Sequence, residues 1–382
     1  MTGFSYISAA QQVIFGAGAL AQLSDAVDRF GRQRLLLCTL ERFQNSGLVT
    51  HIEDILGRRL AAVYAQVQPH VPQQQVEAAL ALAIEHNVDA VIGLGGGSSI
   101  GMAKAVSLAL EEHRTGSPAR AASPTDQPLV PVIAIPTTYA GSEMTPIYGV
   151  TRVEEGITRK VTVTDARVTP KLILYDPELT LTLPPYMTAS TGINALAHCI
   201  EAVYSITRNP LSTAAALEGA RHITQVLPQA VANGSDLAAR TEMLLGAHLA
   251  AVALSTVKMG LHHGLCHVLG GTAGVPHGLA NSIMLPHVMR FNADATAWEL
   301  AALARAIGVA GNSEAESAEQ AAQTVYNLVN QIGLPQRLRD VGVAETDLPH
   351  LARVALKSQA VQNNPKPITG APQIESVFRA AW

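Results

Sequence analysis

Between residues 34 and 138 the chain alternates short, unbroken apolar runs with longer stretches that are apolar at every third or fourth position. The short runs are "RLLLC" (34–38), "AAVYAQV" (61–67), "DAVIGL" (89–94) and "PVIAIPTT" (131–138); the periodic ones are "LVTHIEDILGR", "QQQVEAALALAIEHN" and "IGMAKAVSLALEEH". A short apolar run fits a strand covered on both faces, and such strands alternating with helices predict βαβ units and a mainly parallel sheet. "KVTVTDARVTPKLILYDPEL" (160–179) predicts two more strands, and the Pro, Ser and Ala of residues 114–128 predict an exposed connection. After "LPPYMTAS" the period is helical almost throughout, with punctuation expected at Pro210, Pro228, Pro276, Pro286, Pro335 and "NNPKP" (363–367). The pattern therefore predicts an α/β domain over residues 1–185 and an all-helical domain over 186–382.

Composition narrows the classes. With 382 residues, 48% hydrophobic and 15% charged, the chain can bury a large core and is too apolar to be disordered. A net charge of -4 gives no reason to expect nucleic acid or an anionic membrane as partner. Cys38, Cys199 and Cys266 are odd in number and scattered, which argues against a disulfide framework. The run "MLLGAHLAAVALSTV" (243–257) contains His248, falls short of a membrane span and predicts a buried helix. The N-terminus lacks a basic stretch followed by a long apolar one, so a cytoplasmic protein is expected, and the low charge suggests a homodimer.

Two motifs carry chemistry. Gly95, Gly96, Gly97 and Ser98 follow a strand and open a helix, where a tight turn and free N–H groups favour an anion such as a pyrophosphate. Thr137, Thr138 and Ser142 of "IPTTYAGSE" sit at a second strand end on the same sheet edge and can donate to phosphate or ribose oxygens. The other motif is a histidine cluster, His262, His263, His267, His277 and His287, with His263 and His267 one helical turn apart. Asn194 and His198 of "TGINALAHCIEA" are likewise one turn apart. Imidazoles from His198, His263 and His277 suit a divalent transition metal, with an oxygen ligand at position 194. There the residue is Asn, whose carboxamide offers a dipole where a carboxylate would offer a charge, so the metal site is weakened.

The motifs "GGGSSIGMAKA", "IPTTYAGSEMT", "YDPELT", "TGINALAHCIEA" and "HHGLCHVLGGTAGVPHGLANSIMLPH" resemble those of the iron-containing (group III) alcohol dehydrogenase family over nearly the whole chain. The resemblance implies a Rossmann-like α/β dinucleotide-binding domain followed by an all-α domain, an architecture shared with dehydroquinate synthase, with the active site in the cleft between. "VIFGAGAL", "PTTYAGSEMTPIYGVT", Gly101, Asn194 and "LHHGLCHVLGG" look most like the maleylacetate reductase branch. Gly264, where that branch usually has Lys, and "PHGLANSIMLPHVMRFN" depart from it. Lys258, Arg290 and Lys366 are the substitute cations for a dicarboxylate.

The implied activity is NAD(P)H-dependent reduction of an unsaturated oxo-acid, maleylacetate to 3-oxoadipate, as in the degradation of aromatic compounds. His198, His263 and His267 are the implied catalytic residues, Asn194, His277 and Tyr139 the substrate contacts, and Lys160 a neighbour of the cofactor ribose. After the first strand come Thr39 and Leu40, with Glu41 and Arg42 beyond; no carboxylate sits where one would select NAD, and Arg42 tolerates a 2'-phosphate, so NADPH use is open although NADH is the expected cofactor. The rivals are an Fe(II)- or Zn(II)-dependent alcohol dehydrogenase or aldehyde reductase on His198, His263 and His277, a cyclase or lyase of the dehydroquinate synthase type, and a dinucleotide sensor.

Overall fold

The computed structural model describes residues 9–116 and 128–382 together with Phe4 and Tyr6, apart from residues 155 and 156, and no side chain within residues 153–160. Most of the Pro/Ser/Ala connection, residues 117–127, thus lies outside the described residues. The strands are β1 (Gln12–Phe15), β2 (Leu35–Cys38), β3 (Leu60–Tyr64), β4 (Ala90–Gly95), β5 (Val132–Pro136), β6 (Ile147–Glu154), β7 (Ile157–Thr164) and β8 (Leu172–Tyr175). Among the described residues, six of them form one sheet in the order β1-β8-β5-β4-β2-β3. Every pairing in it is parallel. Each residue of β2, β4, β5 and β8 is buried, as an unbroken apolar run demands of a strand with helices on both faces.

Two strands escape the apolar-run pattern. β1 lies at the sheet edge and is only partly buried. β6 carries Gly149, Thr151 and Arg152 and pairs with β7 as an antiparallel hairpin, Ile147 opposite Thr164.

The chain divides into two compact units, one ending at Thr180 and the other running Leu181–Trp382. In the second, the helices that matter here are Pro185–Tyr204, Pro210–Ala232, Leu237–Leu254, Leu261–Ala273 and His277–Asn292. Pro228 and Pro286 do not end helices as expected; both lie inside one. In each case the buried stripe continues on both sides of the proline, through Ile223, Leu227 and Ala230 and through Ile283, Leu285 and Val288, and packing holds the helix together across the lost N–H bond. Leu237–Leu254 is longer than expected, 18 residues at a mean hydropathy of 1.3, long and apolar enough to cross a membrane by length and composition. It packs against Pro185–Tyr204 and Pro210–Ala232.

Candidate functional site

In the α/β unit, Gly95 closes β4 and Gly96 begins the helix Gly97–Thr115, with no side chain capping its first N–H groups. Gly95 holds φ at 140°, and a Cβ there would stand 2.5 Å from Ser99 Oγ; one on Gly96 would stand 3.1 Å from Thr138 Oγ1. A side chain would therefore fill the space beside the turn. Ser99 Oγ and Thr137 Oγ1 are buried there without a hydrogen-bond partner, which calls for a ligand or water oxygen. Open amides, a bare turn and two unsatisfied hydroxyls fit a dinucleotide pyrophosphate. Beside the expected Ser98 stands Ser99, which the glycine pattern does not single out and whose hydroxyl turns under Gly95.

The other expected cofactor contacts fare differently. Ser142 lies beside the helix start, its Cβ 4.0 Å from a Cβ built on Gly97. Thr39 is fully buried and donates its hydroxyl to the Leu94 carbonyl at 2.9 Å, tying β2 to β4, so only its lone pairs remain for a ligand. Tyr139 is fully buried. Lys160 stands opposite Thr151 in the hairpin, and its side chain is outside the described residues. Beyond β2, Glu41 lines a cavity of about 350 Å³ with Gln44, Gln66, Val67, Gln68 and Gln75.

In the helical unit the imidazoles converge. His198 and His263 stack with ring centroids 4.8 Å apart; His263 lies 6.2 Å from His277 and 6.4 Å from His267, and His267 stacks on His277 at 5.7 Å. His198 and His263 are buried, whereas His267 and His277 are exposed. His277 is the first residue of its helix and not part of a loop. Burial pushes both buried imidazoles well below the ordinary histidine range, and the neighbouring histidines add to the shift. They are therefore neutral near pH 7. Asn194 lies buried one turn before His198.

What sequence reading missed is Glu201. It is the acid of the helix Pro185–Tyr204, three residues after His198 on the same face, and is fully buried. Its Oε1 accepts from the backbone N–H groups of Gly260 and His262, each at 3.1 Å, and Oε2 from that of His263 at 3.2 Å. The His263 ring closes the set, Nδ1 lying 2.5 Å from Oε2. A carboxylate that accepts three amides acts as an acceptor toward the ring too, so His263 carries its proton on Nδ1 and turns a bare lone pair outward from Nε2. That atom, and His198 Nδ1, are buried without hydrogen-bond partners. The lone acid in an apolar helix, spaced onto the His198 face, was the signal.

Glu201, His262 and His263 lie close enough together to share an ion. The carboxylate is already occupied by four N–H groups, which assigns it the orienting role behind a ligand. Two imidazoles around one tetrahedral ion place their ring centroids about 5 Å apart. His198 and His263 meet that spacing and offer two neutral donors, while Asn194 brings a carboxamide and no charge; among the described residues the group of three close enough to share an ion is Glu201, His262 and His263.

The remaining histidines and cations belong elsewhere. His262 gives Nε2–H to the Asn281 carbonyl at 3.2 Å, and Asn281 in turn holds the His277 carbonyl at 2.7 Å. His287 packs on Tyr326. Arg290 pairs with Glu319 and Gln323, Lys366 with Asp294 and the Phe291 carbonyl, and Lys258 is exposed. Position 264 faces the helix Gln359–Gln362: a Cβ there would stand 2.6 Å from Val361 Cγ2. Gly264 is thus a packing requirement.

Comparison with known proteins gives the same picture from another side. Residues 10–177 match the model of the iron-containing alcohol dehydrogenases, and residues 188–382 that of the C-terminal part of the same family. The maleylacetate reductase of Burkholderia cepacia is 37% identical over 96% of this chain and 95% of its own length. The crystal structure of maleylacetate reductase from Agrobacterium tumefaciens, 32% identical, covers all of this chain and 99% of that one with a TM-score of 0.86. The NAD+ complex of sulfoacetaldehyde reductase from Bifidobacterium kashiwanohense, 26% identical, covers the same shares with a TM-score of 0.89.

Proposed function

Since the chain belongs to the iron-containing alcohol dehydrogenase family, we propose that this NAD(P)-dependent oxidoreductase reduces maleylacetate to 3-oxoadipate, in the cytoplasm and as a homodimer. Near full-length similarity to maleylacetate reductases carries the reading, and Asn194 gives it its chemistry. NADH is the proposed reductant, because Glu41, which lines a glutamine-rich cavity beyond β2, would accept ribose hydroxyls there and disfavour a 2'-phosphate.

The hydride would come from NADH when bound and go to the alkene carbon furthest from the ketone. Charge then builds on the ketone oxygen, and a proton must reach the alkene carbon beside the ketone. His198 offers a ring N–H to the oxygen. His263, its Nδ1 proton held by Glu201, takes a proton on Nε2 and delivers it to carbon; the exposed His267 and His277 bring that proton from solvent. Asn194 fixes the substrate by hydrogen bonding. A divalent ion on His198, His263, His277 and the Asn194 carboxamide would polarise the same oxygen.

The test is NADH oxidation with maleylacetate and with simple aldehydes, the product identified by mass spectrometry. Formation of 3-oxoadipate at a kcat/KM far above that for aldehydes is expected; aldehyde reduction alone refutes the proposal. The bare His198 Nδ1 and His263 Nε2 favour one second reading, a metal-dependent aldehyde reductase, which requires a bound Fe(II) or Zn(II) for any turnover.

A further inference from the structure

Lys104 lies on the helix that opens at the glycine turn, two turns past Gly97, and is fully buried. Its ammonium donates to the Ser142 carbonyl at 2.6 Å, the Thr145 carbonyl at 2.8 Å and the Ile147 carbonyl at 3.0 Å. Three donors meet three carbonyls, all from the segment that follows Thr137 and Thr138. The acid nearby is Glu143, also buried, which accepts from Tyr175 Oη at 2.8 Å. We propose that Lys104 is the positioning residue of the dinucleotide cradle: its charged form fixes the Ser142–Ile147 backbone, and with it sets Thr138 and Ser142 against the glycine turn. The inference rests on the dinucleotide site proposed above, and it makes cofactor affinity depend on a proton that touches neither cofactor nor substrate.

The direction follows from donor counting. A neutral amine keeps two N–H donors for three carbonyls, so losing the proton strands one buried acceptor and loosens the segment. Burial pulls Lys104 down to about 7, against the opposing pull of Glu143. The phenols and the guanidinium around it are shifted away from that range. Burial lifts the Tyr148 and Tyr175 phenols, and Arg167, bound to Asp165, is raised. Burial raises Glu143 too, while Lys104 and Tyr175 pull it back, so it is the partner whose charge travels with the lysine.

The experiment is direct NADH binding by calorimetry on the full-length chain, without substrate, from about pH 6.5 to 9. Kd is expected to rise with pH, approaching tenfold per unit above the lysine's titration, with proton uptake on binding at the alkaline end. K104M is expected to bind about tenfold or more weakly at the acid end and to lose the pH dependence, with kcat at saturating NADH moved much less than KM. A flat wild-type profile without proton uptake, which needs no variant to fold, overturns the proposal, as does K104M binding equal to wild type at the acid end. Absence of NADH binding at every pH removes the dinucleotide reading itself and the role of Lys104 with it.

Discussion

Glu201 grips the ring of His263 at Nδ1 from 2.5 Å while its two oxygens also hold the amides that open the helix Leu261–Ala273. One buried carboxylate thereby fixes a helix start, a ring orientation and a tautomer. Negative charge at a helix N-terminus is favourable, which helps offset the burial of the carboxylate. Glu201→Gln removes the charge and turns an N–H toward groups that are themselves donors. We expect kcat/KM to fall about 10- to 100-fold, with a stability loss of about 1–3 kcal/mol. Steady-state kinetics and the nitrogen shifts of His263 check this; unchanged shifts with unchanged rates would mean that the carboxylate only caps the helix.

Asn194→Asp places a carboxylate one turn before His198. Metal retained after gel filtration is expected to rise at least tenfold in affinity, since a charge replaces a dipole among three neutral donors. Metal content equal to that of the wild type would show that the imidazoles do not converge on an ion.

Gly264→Lys, which supplies the cation that the family resemblance implies there, is expected to destabilise the protein without improving dicarboxylate binding. The new Cβ falls 2.6 Å from Val361 Cγ2 and 3.1 Å from the Val361 backbone nitrogen, and backbone cannot turn aside. The expected cost is about 1–3 kcal/mol, read by denaturant unfolding, with KM for the substrate unimproved. A lower KM would place position 264 in contact with substrate.

His287 supplies a pH dependence of stability outside the site. Burial and the nearby Arg290 lower it to about 4 from the ordinary imidazole value. The unfolded chain therefore binds the proton first as pH falls, and stability is lost from about pH 6.5 down to 4. His287→Gln is expected to flatten that slope by about 1–3 kcal/mol. Equal slopes in both proteins would refute the assignment.

How much of this could be read from the residues alone depends on period. Runs such as "AVIGL" and "LILY" revealed buried parallel strands because they hold no charged or strongly polar residue, while β6, half polar with a glycine inside, has no such signature. Prolines mislead where packing overrides them, as at Pro286. In the site, His198, His263 and Asn194 were legible from a four-residue spacing. Glu201 was not, because its partners Gly260 and His262 lie 59 and 61 residues further along the chain and only the fold brings them together. The supposed absence of a cation at 264 looked like a chemical gap; the structure makes it a steric one.

The central claim is that the imidazole pair, with a carboxamide at 194, assists hydride transfer from NADH to the enone without depending on a bound metal. The most direct test is steady-state NADH oxidation with maleylacetate before and after exhaustive chelation, with metal content measured on the same samples. Equal rates are expected in metal-replete and metal-stripped protein. Loss of turnover on stripping, recovered by Fe(II) or Zn(II), would contradict it.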